Sequence, residues 1–306
     1  MSTATVINGI ELRQGRVLSA KALDYWQLAK PRIAVMAMFT VAIGYFLGCR
    51  GDFLFLQLCD ACFGIFCVAI SCSFLNQWIE RDVDHAMLRT SDRPLPAGRI
   101  AAAEVLIVGV SAGLLGALWL AINVNVLTCV LSLVTLASYV SAYTPLKRVS
   151  FLCTQIGAVA GALPPVLGWC AAGGALDEGA LALFLLMFCW QFPHLLAIAT
   201  IYRADYESAG LKMLPLRHDR RSLAGEVGVA YACVLIPVSL MANAQGLVGG
   251  LALSCVLLGG FAYLVSAIRF WRDGSVRRAR ELLLCSIVYL PTVLLSMAVD
   301  HYRLLV

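Results

Sequence analysis

Nine times along this chain the sequence runs mainly apolar for the length of a membrane crossing, with centres near residues 41, 67, 112, 134, 161, 191, 234, 258 and 290. A hydrocarbon core of ~30 Å takes about 20 apolar residues per helix, so the spacing predicts an all-α polytopic membrane protein with about nine transmembrane helices. Composition agrees: 61% of residues are hydrophobic, 13% are charged and mean hydropathy is +0.84. The turns between spans are short and no low-complexity segment intervenes. The expected organisation is a cytoplasmic N-terminal arm over residues 1–32 and a single integral membrane domain over 33–306.

Basic residues set the expected orientation. Arg13, Arg16, Lys21, Lys30 and Arg32 precede the first span, Arg81, Arg89, Arg93 and Arg99 follow the second, and Lys147 and Arg148 follow the fourth. Arg203, Lys212, Arg217, Arg220 and Arg221 follow the sixth, and Arg269, Arg272, Arg277, Arg278 and Arg280 follow the eighth. Only Arg50 and Arg303 of the 23 Lys and Arg fall opposite. By the positive-inside rule the N-terminus is expected in the cytoplasm and the C-terminus outside. The net charge of +5 is then a topology signal, and no nucleic-acid partner is expected. Residues 1–32 carry Glu11, Arg13, Arg16, Lys21 and Asp24 without an apolar core, so they do not read as a signal peptide. The first span is expected to insert the chain. Most of the twelve cysteines stand singly inside spans, where Cys packs as a small apolar residue, and the Cys59-x-x-Cys62 pair has no partner pair or spaced His.

Against this apolar background, "NQWIERDVDHAMLRTSDRPLPAG" (76–98) concentrates charge. On a helix Asn76, Glu80 and Asp84 stand at i, i+4 and i+8 and line one face over ~12 Å. Such a stripe of oxygen donors suits a hard divalent cation, because Mg²⁺ takes one or two carboxylates while a phosphate supplies further ligands. Arg81, Arg89 and Arg93 complement phosphate charge. A helix that simply emerges into water would also become polar. A second cluster weighs against that: in "WQFPHLLAIATIYRADYESAGLKMLP" (190–215), Gln191, His194, Ile198, Tyr202 and Asp205 recur as one helical stripe inside an apolar span. Polar groups there are expensive unless they face a bundle interior or cavity. Pro193 is expected to kink that helix, and Pro164 with Pro165 to break span five and shape the cavity. The bland reading of His194 is a hydrogen bond between helices.

The two acidic ends lie four spans apart. This placement suggests two four-helix modules plus a ninth helix around a central cavity open to the cytoplasmic side. Acid clusters, cations and a greasy cavity beneath them describe a site for an isoprenoid diphosphate, whose leaving group needs charge neutralisation.

The first cluster resembles the N-x-x-x-D-x-x-x-D motif of the UbiA-type intramembrane prenyltransferases. "LAKPRI" (28–33), "YTPLKR" (143–148), "GALPPVLGW" (161–169) and both clusters above are similar to the branch of that family that farnesylates protohaem IX. The resemblance implies transfer of a farnesyl group from farnesyl diphosphate to a vinyl group of haem B, giving haem O and diphosphate, with Mg²⁺ as cofactor. Carried over, Asn76, Glu80, Asp84 and Asp205 are the expected metal ligands, and Tyr143 and Lys147 join them as catalytic residues. Lys147 would steady the diphosphate and the Tyr143 ring would face the nascent allylic cation. Arg81, Arg89, Arg93, Arg148, Gln191, His194, Tyr202 and Arg203 form the expected substrate-binding set. Glu80 stands where the family has Asp, and Ala209 where a second D-x-x-x-D would have its second acid, so the second metal site is expected to be weaker. His194 becomes a candidate haem contact. The resemblance also implies a bacterial inner membrane location, the lipid bilayer as surroundings, an active site facing the cytoplasm, and haem A synthase or oxidase-assembly factors as partners. Two rivals stand beside it. An aromatic, quinone-precursor acceptor would want a fuller second acidic motif, and a non-catalytic haem or lipid transporter leaves the gathered acids and cations unexplained.

Overall fold

The computed structural model describes residues 20–49, 53–212, 221–247 and 249–305. Arg13, Arg16, Arg50, Arg217 and Arg220 lie outside the described residues, as does most of the N-terminal arm. Every described element is helical. The principal helices are α1 (Pro31–Gly48), α2 (Phe55–Ala86), α3 (Ala102–Asn123), α4 (Val126–Leu146), α5 (Cys153–Ala171), α6 (Glu178–Ile201), α7 (Arg221–Ala244), α8 (Gly250–Asp273) and α9 (Val276–Leu305). They occupy the nine expected positions. Eight are long and apolar enough to cross a bilayer, so this is an integral membrane protein. The exception is α5, where Thr154, Gln155, Pro164 and Pro165 dilute the hydropathy. It is also the helix packed between the two halves of the molecule, against α1 on one side and α6 on the other.

That packing regroups the helices. α6, α7, α8 and α9 close on one another as a four-helix ring, while α5 belongs with α1–α4. The four-helix grouping therefore falls one helix later than the spacing of the acidic ends suggests. Polar ties hold the ring: Trp190 Nε1 donates to the Ser286 carbonyl (2.9 Å) and Tyr263 Oη to the Trp190 carbonyl (2.8 Å), joining α6 to α9 and α8. Pro164 and Pro165 do not break α5, which runs through both. Neighbouring helices support such freed backbone in a membrane. Here α1 lies directly against it: a Cβ on Gly44 would meet the Pro165 carbonyl oxygen at 1.9 Å, and one on Gly168 would meet that of Val41 at 2.0 Å. Backbones this close are the small-residue contact by which membrane helices gain packing energy.

Two departures from regular helix position the site. α2 has 32 residues, about 48 Å, so its last turns project beyond a ~30 Å hydrocarbon core. α4 widens into a π-turn over Ser138–Tyr143. Pro145 has no amide to close the ordinary turn onto Ser141, and Thr144 Oγ1 instead donates to the Tyr139 carbonyl (2.8 Å).

Candidate active site

The projecting end of α2 is not a solvated helix end. Asn76 and Asp84 are each 1% exposed, although both are polar. A buried polar group needs partners, and these have them. Asn76 Oδ1 accepts from Lys30 Nζ (3.0 Å), and its Nδ2 donates to Thr144 Oγ1 (3.1 Å). Glu80 Oε1 accepts from Lys147 Nζ (2.7 Å), and Asp84 Oδ2 pairs with Arg93 Nη1 (2.6 Å). Asp84 Oδ1 is buried and has no hydrogen-bond partner.

Four segments converge on this stripe. Lys30 arrives from the N-terminal side in a left-handed conformation (φ 50°), unusual for a non-glycine residue and more so before proline. Strain of this kind persists where the surroundings over-determine it, commonly at functional sites. Arg89 and Arg93 come from the α2–α3 loop, Tyr139, Tyr143 and Lys147 from the end of α4, and Tyr206 and Leu211 from the segment after α6. In that segment Gly210 turns the chain at φ 66°, and the Lys212 amide donates to the Lys147 carbonyl (3.0 Å). Together they line a polar pocket of about 100 Å³ holding four cations and two carboxylates. Burial above all, with Arg93 and Lys147 nearby and against the pull of Glu80 and Asp84, brings the pKa of Lys30 down to about 8. Burial also works against the Lys147 charge, but Tyr143, Glu80 and Tyr139 outweigh it and its pKa ends above the ordinary lysine value. The pocket is built for a polyanion.

Directly below lies an apolar cavity of about 190 Å³ between α1, α2, α4 and α5. The two spaces share Lys30 and Tyr139. One ligand can therefore occupy both, with an anionic head above that junction and a hydrocarbon tail beneath it.

Of the residues singled out from sequence, Asn76, Glu80, Asp84, Arg89, Arg93, Tyr143 and Lys147 meet at the pocket. Asp205 approaches its edge, 4.0 Å from Arg89 Nε, and Arg89 lies over the rings of Tyr202 (5.0 Å) and Tyr206 (6.0 Å). Others turn away. Arg81 lies over Trp78 and pairs outward with Asp82, Arg148 reaches the Ile79 carbonyl on the exterior, and Arg203 bonds Glu207 (2.7 Å) and lines a separate hollow. Gln191 donates to the Ala158 carbonyl (2.8 Å) between α6 and α5, and His194 Nδ1 bonds Ser286 Oγ (2.7 Å) toward α9 while stacking on Trp190. The expected continuous stripe from Gln191 to Asp205 is interrupted, because α6 ends at Ile201 and Asp205 sits on a separate short helix, Arg203–Ser208. The Tyr143 ring carries the Lys147 ammonium (4.3 Å to its centroid), and it is Tyr139 that lines both spaces.

Sequence reasoning missed Lys30, Tyr139, Tyr206 and Leu211 as site residues. Tyr139 was within reach, since 139, 143 and 147 share a helical face at i, i+4 and i+8.

Among the described residues, no group of three or more His, Cys, Asp and Glu gathers as a ready-made metal cage. The donor set nonetheless fits Mg²⁺, which takes few protein ligands: Asp84 Oδ1 is a buried carboxylate oxygen without a partner, on the same stripe as Asn76 and Glu80.

Comparisons with known proteins give the family. The model of the UbiA prenyltransferase family matches residues 37–301. The chain belongs to the UbiA prenyltransferase family. Relatives within it include a protoheme IX farnesyltransferase of Solibacter usitatus, 40% identical across 91% of this chain and 98% of the relative, and one of Koribacter versatilis, 39% identical across 91% and 93%. The UbiA fold is seen again in a solved digeranylgeranylglyceryl phosphate synthase (TM-score 0.79, 15% identity, 93% of this chain and 99% of that one). A UbiA homolog from Archaeoglobus fulgidus bound to DMAPP and Mg²⁺ is similar as well (TM-score 0.65, 16% identity, 90% and 99%). At such identities the structural likeness speaks for the fold.

Proposed function

We propose that this prenyltransferase moves the farnesyl group of farnesyl diphosphate onto a vinyl group of protohaem IX (haem B), releasing diphosphate and, with uptake of water, giving haem O. The observation that carries the reading is the shared boundary of the two spaces at Lys30 and Tyr139, which suits a diphosphate head joined to a hydrocarbon chain. The acceptor is supported by relatives named protoheme IX farnesyltransferase at 34–40% identity.

Lys30, Arg89, Arg93 and Lys147 bind the diphosphate and stabilise the charge that grows on it as the allylic C–O bond opens. Preorganised charge in a water-poor site is the largest single contribution most enzymes make. Asn76, Glu80 and Asp84, with Asp205 at the edge, would hold Mg²⁺, which when bound neutralises the leaving diphosphate. Tyr139 presents its ring where the carbon skeleton meets the head, the position at which an aromatic face stabilises an allylic cation. The apolar cavity keeps water from that cation until the acceptor vinyl group arrives.

The basic residues support a cytoplasmic N-terminus, a C-terminus on the opposite side of the membrane and a pocket facing the cytoplasm; the bacterial relatives support a bacterial inner membrane as the location. Haem O would pass to haem A synthase or an oxidase-assembly factor.

Membranes containing the chain, given farnesyl diphosphate, haem B and Mg²⁺, are expected to yield a more hydrophobic haem on reversed-phase chromatography. Activity that survives in Asp84→Ala, or in the presence of EDTA, would overturn the metal-assisted reading.

A further inference from the structure

We propose that Ile65 and Leu167 form the floor of a length gauge that fits a fifteen-carbon prenyl chain and excludes a twenty-carbon one. The proposal rests on the reading of the polar pocket as the diphosphate site and adds to it the residues that select the chain.

Two helices measure the depth of the cavity independently. On α2 its lining runs from Ser73, beside the polar pocket, to Ile65, roughly 12 Å at 1.5 Å per residue. On α5 it runs from Gly157 to Leu167, roughly 15 Å. With carbon–carbon bonds of ~1.5 Å, the main chain of an extended farnesyl group is about 14 Å long, a geranyl group about 9 Å and a geranylgeranyl group about 19 Å. Only the middle one matches.

The floor is closed by contacts that do not yield easily. Ile65 and Leu167 are 4% and 3% exposed and belong to a close-packed cluster with Val41, Tyr45 and Leu120. At the same level α1 and α5 touch backbone to backbone through Gly44 with Pro165 and Gly168 with Val41. A longer tail cannot pass between those helices without separating them. The flank of the cavity at Ile33, which is exposed, faces the lipid and gives the tail its way in; a fourth isoprene unit would have to double back along that flank.

The test uses the full chain in lipid nanodiscs with Mg²⁺. Thiodiphosphate analogues of the geranyl, farnesyl and geranylgeranyl chains, with inorganic diphosphate alongside, compete against labelled farnesyl diphosphate. The wild-type chain is expected to bind the farnesyl analogue at least tenfold more tightly than the geranylgeranyl one. Leu167→Ala is expected to shrink that ratio about tenfold, because the space it opens lets further methylenes leave water. Ala69→Leu, half-way down α2 at a partly exposed position that accommodates a larger side chain, is expected to weaken the farnesyl analogue about tenfold relative to the geranyl one. A wild-type ratio near one, or ratios unmoved by both variants while all three chains still compete, would overturn the gauge and leave the diphosphate reading standing. If neither the prenyl analogues nor inorganic diphosphate compete, both fail.

Discussion

Arg81 and Arg93 come from the same charged stretch, yet only Arg93 reaches the pocket, where it pairs with the buried Asp84. Composition marks both as phosphate binders; direction separates them. On α2 position 81 is one residue past Glu80 and so turns about 100° away from the Asn76–Glu80–Asp84 face, which leaves it over Trp78. The acidic stripe was legible because i, i+4 spacing fixes a face. The loop cations Arg89 and Arg93 were legible as charge but not as direction, and Lys30 was not legible as a site residue, because a segment outside a regular helix has no period from which to read a direction. Arg81→Ala and Arg148→Ala are accordingly expected to leave farnesyl transfer within about twofold of wild type. Arg93→Ala, which strands the buried Asp84, and Lys147→Ala, which strands the half-buried Glu80, are expected to lower it at least thirtyfold in the same chromatographic assay.

The segment that delivers Lys30 is itself an element worth following. Residues 20–28 form a short helix held across the start of α3 and the α2–α3 loop. Arg99 donates to Asp24 (2.8 Å), Asp92 (3.1 Å) and Gln27 (3.2 Å), Lys21 pairs with Glu104 (2.8 Å), and Tyr25 donates to Glu104 as well. Deeper, the Leu28 carbonyl accepts from Ser73 Oγ and Gln77 Nε2, both at 2.8 Å. These bonds end two residues before Lys30, so their rigidity is passed to its ammonium. Single exposed ion pairs are worth little, but a shared arginine is worth more than its separate parts. Arg99→Ala should raise KM for the prenyl diphosphate about threefold to tenfold with kcat within about twofold, and Arg99→Lys should recover part of that loss. Sequence spacing had no access to this clamp, whose ties to the short helix join residues at least 45 positions apart. Nor did it reveal the end of α6 at Ile201, where neither Gly nor Pro marks the boundary; the stripe through Asp205 reads as one helix until tertiary contacts turn Asp205 toward Arg89.

For the molecule as a whole, apolar patterning pointed to each of the nine principal helices among the described residues, eight of them with the length and hydropathy that a bilayer demands of a span. What it could not give was their grouping, because α5 owes its place to close approach at Gly44 and Gly168 rather than to hydropathy. That seam joins the halves of the protein, so Gly44→Val is expected to reduce the yield of folded protein from membranes, measured by size-exclusion chromatography in detergent, whatever its effect on substrate. Orientation has its own measurement: cysteine labelling from outside intact cells should reach a Cys placed at Arg303 and miss one placed at Asp92.

The ion pairs at the mouth carry one more implication. Glu80 and Asp84 each already hold a cation of the protein's own, Lys147 and Arg93. Docking of the substrate is then an exchange of counter-ions around two carboxylates that are already paired. Chelators should silence turnover yet leave the melting temperature within about 2 °C, since the protein does not rely on a metal to stay folded.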